Sequence, residues 1–178
     1  DYRNVGLIVH MAYEWCQRLG DMRTLKWENI DLRTQRLQLE QSKRRADVSL
    51  PISDDLCHML NEQRNDFGFQ EYVAPHPKPM NGTYEPYAME RLSKVGRRVM
   101  RLAKLPEELR LMDLRRTGVT QMVDAGVPIG QVMSVTGHNH VSSVQPYMKH
   151  TYDSANNALT QRNVSVQSSA ASNIESDT

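Results

Sequence analysis

RTQRLQLEQSKRRADVSLPIS, residues 33–53, is where the chain changes its period. Leu37 and Leu39 alternate with polar residues, as do Val48 and Leu50, about the polar turn KRRAD. Such alternation puts one face of each segment on a core and the other in water, so the stretch predicts a β-hairpin. On either side the apolar residues recur at helical spacing. Upstream, Val5, Ile8, Ala12, Trp15 and Leu19 mark a helix over residues 5–19. Gly20 breaks it, and Asp21 can cap a second short helix that runs to Trp27. Downstream, Ser53 can cap a helix over residues 54–66, and FQEYVA (69–74) reads as a short strand. Prolines 75, 77, 79 and 86 with Asn81-Gly82 make the next stretch a loop. A basic helix over about 87–103 carries Met89, Leu92, Val95, Val99 and Leu102 on its core side. Helices are then expected over 113–126, from Pro128 to Val135, and over 153–162. The expected fold is mostly α with a small antiparallel β-hairpin or sheet. Residues 1–162 form one domain, and the Ser-rich tail 163–178, with almost nothing to bury, is expected to be disordered.

The bulk composition narrows the function classes. A chain of 178 residues can bury a real core, and 39% hydrophobic with 24% charged residues is ordinary for a globular domain. No apolar run approaches the roughly 20 residues of a membrane span, and the polar start DYRNVG does not read as a signal peptide. The first residue is Asp1 rather than Met, which reads as a piece of a longer protein. Cys16 and Cys57 have no metal-ligand spacing and read as reduced thiols of a cytoplasmic protein. The net charge of +1 hides an asymmetry: residues 91–116 hold nine basic side chains against three acids. A basic patch on a near-neutral chain suggests a polyanion on one face, although a solvated helix face has the same look.

One segment resists a packing explanation. TGHNHVSSVQPY (136–147) is punctuated by Gly137 and Pro146 and has no apolar period, yet it holds His138 and, nine residues later, Tyr147. It is either a surface loop with a half-buried tyrosine or a site. Three other stretches line up with it: RLGDMRTLKWENIDL (18–32), QSKRRADVSLPIS (41–53) and LMDLRRTG (111–118). In this order and spacing the four resemble the catalytic domain of the tyrosine recombinases, the phage integrase family, over roughly residues 5–160. Arg18 stands nine residues before Trp27, an acidic turn leads into the hairpin, Lys43 falls at the hairpin lysine, and Met112-Asp113-Leu114-Arg115-Arg116-Thr117 matches the family's arginine box. Gly137-His138 and Tyr147 match its last motif.

The resemblance implies a site-specific DNA recombinase, or integrase, that cuts and rejoins strands through a 3′-phosphotyrosyl intermediate. It implies Arg18 and Arg115 as a phosphate cradle, Tyr147 as nucleophile, Lys43 as general acid to the leaving 5′-oxygen and His138 as a hydrogen-bond donor to the phosphate. The chemistry suits these types, because guanidinium forks bind non-bridging oxygens bidentately and keep their charge. Asp21 and Asp113 are expected to orient Arg18 and a helix start, with Arg116 in support. Arg44, Arg45, Lys94, Arg97, Arg98 and Arg101 are expected to meet the DNA backbone. No cofactor or metal is implied. The expected partners are double-stranded DNA and further copies of the chain, in a tetramer on DNA with the C-terminal segment exchanged in trans, within a bacterial host's nucleoid. An N-terminal DNA-clamp domain would precede Asp1. One position departs from the pattern: Met112 stands where the family usually has histidine, and a thioether carries no proton. That departure supports an alternative, a DNA-binding member with weakened or lost strand transfer.

Overall fold

The computed structural model describes residues 2–43, 45–148 and 152–175, apart from the side chains of 152–154 and 167–175. Arg44 therefore lies outside the described residues. Among those described the order is α1 (Tyr2–Glu14), α2 (Leu19–Arg23), β1 (Ile30–Asp31), β2 (Arg36–Glu40), β3 (Asp47–Pro51), α3 (Asp54–Phe67), α4 (Met89–Leu102), α5 (Asp113–Asp124), α6 (Ile129–Thr136) and α7 (Tyr152–Glu175). Single 3-10 turns stand at Trp27–Asn29, Val141–Ser143 and Gln145–Tyr147. The fold class is the expected one.

The hairpin forms as β2–β3, with Leu37 opposite Leu50 and Leu39 opposite Val48. Leu37, Val48 and Leu50 are buried and the intervening residues largely face out. A short third strand, β1, extends the antiparallel sheet in the order β1-β2-β3. The sheet and α1 share the main core, in which Leu7, Ile8, Met11, Ala12, Met22, Leu37, Leu56, Leu60 and Leu92 are almost fully buried. Burying one such side chain stabilises the fold by roughly 1.5–3 kcal/mol. Ser53 caps α3 by accepting from the Leu56 N–H at 3.2 Å. A second, smaller cluster is built on Val119, Val132 and Val144, from α5, α6 and the 3-10 turns. Helix α5 belongs to both halves, because it packs on α1 and on α6.

Several expectations need correction. Helix α1 stops at Glu14, not Leu19. Gln17 N–H bonds back to the Ala12 carbonyl at 3.1 Å and Cys16 N–H to that of Tyr13 at 3.2 Å, with Cys16 left-handed at φ 51°. That pair of bonds is a Schellman stop, with a cysteine where glycine is usual. Helix α2 starts at Leu19, so Gly20 and Asp21 lie inside it and Arg18 takes the cap position. FQEYVA forms no strand; one isolated bridge joins Lys26 to Tyr72. In α4 only Leu92 and Gly96 are buried, while Met89 and Leu102 are exposed, since α4 covers the core with one narrow face. Helix α7 runs from Tyr152 to Glu175. It contains neither Gly nor Pro, and alanines 155, 158, 170 and 171 favour a helix that buries little. Residues 155–166 of it are exposed throughout.

Candidate active site

The end of α1 sets the first part of the site. The Schellman turn reverses the chain, and Arg18 follows it in extended backbone (φ −71°, ψ 141°). Its Nη1 donates to Gln41 Oε1 at 3.2 Å and lies 3.7 Å from Asp21 Oδ2. Asp21 is 3% exposed. Its Oδ1 accepts from the Ser42 N–H at 3.0 Å and from the Ser42 hydroxyl. Asp21 thus joins α2 to the start of the hairpin turn, one residue before Lys43. Lys43 itself is exposed on that turn.

Arg115 enters from the first turn of α5. Its Nη2 donates to the Thr136 carbonyl at 2.7 Å and sits 3.2 Å from His138 Nε2. Its Nη1 is buried with no hydrogen-bond partner. Burial first, and then repulsion from the Arg18 guanidinium, draw Arg115 down to about 10, while Asp21, the Tyr147 phenol and Cys16 pull the other way. Arg18 and Tyr147 therefore both lie close enough to act on Arg115, although the three come from positions far apart in the sequence. Two cations held together around an unpaired buried N–H make a place suited to an anion. The neighbouring Cys16 thiol is raised above its usual range by burial, against the opposing pull of Arg115.

The histidine is held by α6. Thr136 Oγ1 donates its one proton to the Val132 carbonyl at 2.7 Å, so at 2.7 Å it accepts from His138 Nδ1–H. Nε2 then offers a lone pair to Arg115. Gly137 ends α6 at φ 67°, and a Cβ there would sit 2.8 Å from the Gln41 amide. Tyr147 closes the 3-10 turn Gln145–Tyr147, half-buried against the Val119–Val132–Val144 cluster.

The other expected residues scatter around this centre. Asp113 accepts from the Arg110 N–H at 3.2 Å in the first turn of α5. Arg116 is exposed next to Arg115. Met112 is 78% exposed and lines a groove of about 600 Å³ with Arg97, Arg101 and Arg110, between α4 and the segment after it. Lys94 is exposed on α4, whereas Arg98 sits over the Tyr2 ring at 5.9 Å, away from that groove. Arg45 borders a second cavity of about 470 Å³ that His138 also lines. Among the described residues, no cluster of three His, Cys, Asp or Glu side chains could hold a metal ion.

Sequence reasoning missed Gln17, Gln41 and Thr136, all buried and hydrogen-bonded between the catalytic segments. A buried glutamine has no pattern of its own, and the one available signal was that Gln41 adjoins Ser42-Lys43.

Comparison with known proteins gives the family and the fold. The model of the phage integrase family matches residues 2–154, and the chain belongs to that family. It is 26% identical over 147 residues to the integrase of Salmonella phage P22, covering 79% of this chain and 38% of that one. The chain therefore spans well under half the length of that relative. The fold resembles the crystal structure of XerA recombinase at a TM-score of 0.65 and 14% identity, over 91% of this chain and 62% of the other. It resembles a lambda integrase tetramer bound to a Holliday junction at 0.63 and 18%, over 82% and 42%.

Proposed function

We propose that this chain is the catalytic domain of a site-specific DNA recombinase. The observation that carries the reading is the convergence of Arg18 and Arg115 on one spot, with an unpaired buried N–H, beside His138 and Tyr147. A scissile phosphodiester fits there. The Tyr147 oxygen attacks phosphorus as its proton passes to water, and a 3′-phosphotyrosyl bond forms as the bond to the 5′-oxygen breaks. The leaving 5′-oxygen takes its proton from Lys43. The arginines balance the charge that grows on the non-bridging oxygens, and the covalent link conserves the bond energy for rejoining.

Double-stranded DNA is the partner this requires, in the nucleoid of a bacterial host. Assembly into a tetramer through α7 is supported by its exposure: residues 155–166 cover little of the chain's own surface. The lambda integrase tetramer on a Holliday junction supplies the analogy. A second reading, a DNA-binding member without strand transfer, is favoured by Met112 alone.

The test uses a library of nicked duplexes with randomised sequence around the nick. The wild-type chain should form a denaturant-resistant protein–DNA band, Tyr147→Phe should not, and Tyr152→Phe should. DNA binding without a band from wild type favours the second reading. A band that survives in Tyr147→Phe overturns the nucleophile assignment.

A further inference from the structure

Gln41 touches more of the candidate centre than any residue assigned to it so far. It is fully buried, one residue past the end of β2. Its Oε1 accepts from Arg18 Nη1 at 3.2 Å. Its Nε2 donates to Gln17 Oε1 and, at 2.9 Å, to the Thr136 carbonyl. That same carbonyl accepts from Arg115 Nη2 at 2.7 Å. The Gln41 backbone closes the hairpin turn, with its N–H on the Ala46 carbonyl and its own carbonyl accepting from Arg45 N–H, both at 2.9 Å. Gly137, next to His138, has no room for a Cβ because the Gln41 amide occupies the space. One side chain therefore contacts the Arg18 guanidinium, the carbonyl that holds Arg115 and the glycine beside His138, and its backbone anchors the turn that carries Lys43.

The physical problem it answers is repulsion. Two guanidinium groups at one site drive each other apart, and a flexible Arg18 would swing to solvent when no phosphate is bound. A neutral amide can hold a cation with its oxygen while its nitrogen grips the carbonyl that fixes the second cation. Glutamate could accept from Arg18 but could not donate to Thr136, and it would cancel charge meant for phosphate. The partner amide, Gln17, donates to the carbonyls of Trp15 and Val135 at 2.7 Å each, so the clamp is anchored at the end of α1 and on α6.

We infer that Gln41 is a positioning residue that sets the separation of Arg18 and Arg115 before DNA arrives. This rests on the recombinase reading, and it makes Gln41 act through the arginines rather than on the substrate. Misplacing a catalytic group by about 1 Å can cost about a hundredfold in rate.

The experiment uses the whole chain and a nicked duplex recovered from the randomised library, in two forms: an ordinary scissile phosphate, and a neutral methylphosphonate that needs less cationic help. Gln41→Met keeps the volume and removes all three side-chain hydrogen bonds. Gln17→Met/Gln41→Met removes both partners together, which avoids an orphaned amide if the single variant folds poorly. Cleavage of the ordinary substrate by the folded variant should slow by about tenfold to a hundredfold at saturating DNA. The deficit should shrink severalfold on the methylphosphonate, and the duplex should bind as tightly as before. A purely structural role would lower the fraction of active protein and leave the rate of that fraction, and the ratio between substrates, as in wild type; that result overturns the proposal. So does an equal deficit on both substrates. A wild-type chain that makes no adduct with any duplex overturns the recombinase reading itself, and this role falls with it.

Discussion

Arg115 stands at odds with stability. It keeps a buried guanidinium with one N–H unpaired, close to a second cation, and its proton affinity falls to about 10. Its folded-state value lies below its unfolded one, so the charged form opposes folding at neutral pH. That opposition is complete below pH 10 and fades as the pH rises past 10 toward the ordinary arginine range. Arg115→Met should therefore melt no lower than wild type at pH 7 while losing cleavage by a hundredfold or more, roughly the loss of one oxyanion donor. The difference in melting temperature should narrow above pH 10. A variant that melts several degrees lower would mean that the two Nη2 hydrogen bonds outweigh the buried charge. His138 gives a second test at this scale. Thr136 fixes its Nδ1–H, so Thr136→Val should reduce cleavage while Thr136→Ser restores it; single-turnover rates decide, and equal rates for all three would remove Thr136 from the site. Arg18, Arg115, His138 and Tyr147 were legible because each sits at a fixed distance from a recognisable neighbour. Thr136, Gln17 and Gln41 were not, because their partners are carbonyls and amides brought up from far along the chain.

At the scale of elements, the site depends on how closely α5 lies on α1. Gly118 permits the approach: a Cβ there would fall 2.3 Å from Cys16 Sγ. Gly118→Ala must push the helices apart or turn the Cys16 thiol, at a cost of about 1–3 kcal/mol for overpacking. Because Arg115 rides on α5 and Arg18 follows Cys16, the same shift should widen the cradle. Urea unfolding should show the loss of stability, and cleavage should fall further than the unfolded fraction explains. Cys16→Ala in the same chain should recover part of both, and no recovery would place the strain elsewhere. The hairpin was legible because a period of two cannot be mistaken over ten residues. The end of α1 was not, since Cys16 occupies a left-handed position that sequence assigns to glycine.

The whole molecule carries almost no net charge, so its attraction to DNA must be local. The groove beside Met112 concentrates it, with Arg97, Arg101 and Arg110 on the walls. Sequence reasoning treated Lys94, Arg97, Arg98 and Arg101 as one patch, but α4 splits them: Arg97 and Arg101 face the groove while Arg98 sits over Tyr2. Each phosphate that the protein no longer neutralises should reduce the slope of log K against log salt by about 0.9. Arg97→Gln/Arg101→Gln should therefore flatten the slope by nearly two and weaken binding most at low salt, while saturating DNA restores the cleavage rate. Arg98→Gln should leave the slope within error of wild type, because its guanidinium is turned toward α1. Titrations of a labelled duplex across a salt series separate the two. Equal slopes for wild type and the double variant would mean that DNA crosses another face, and the groove beside Met112 would then lie away from the duplex.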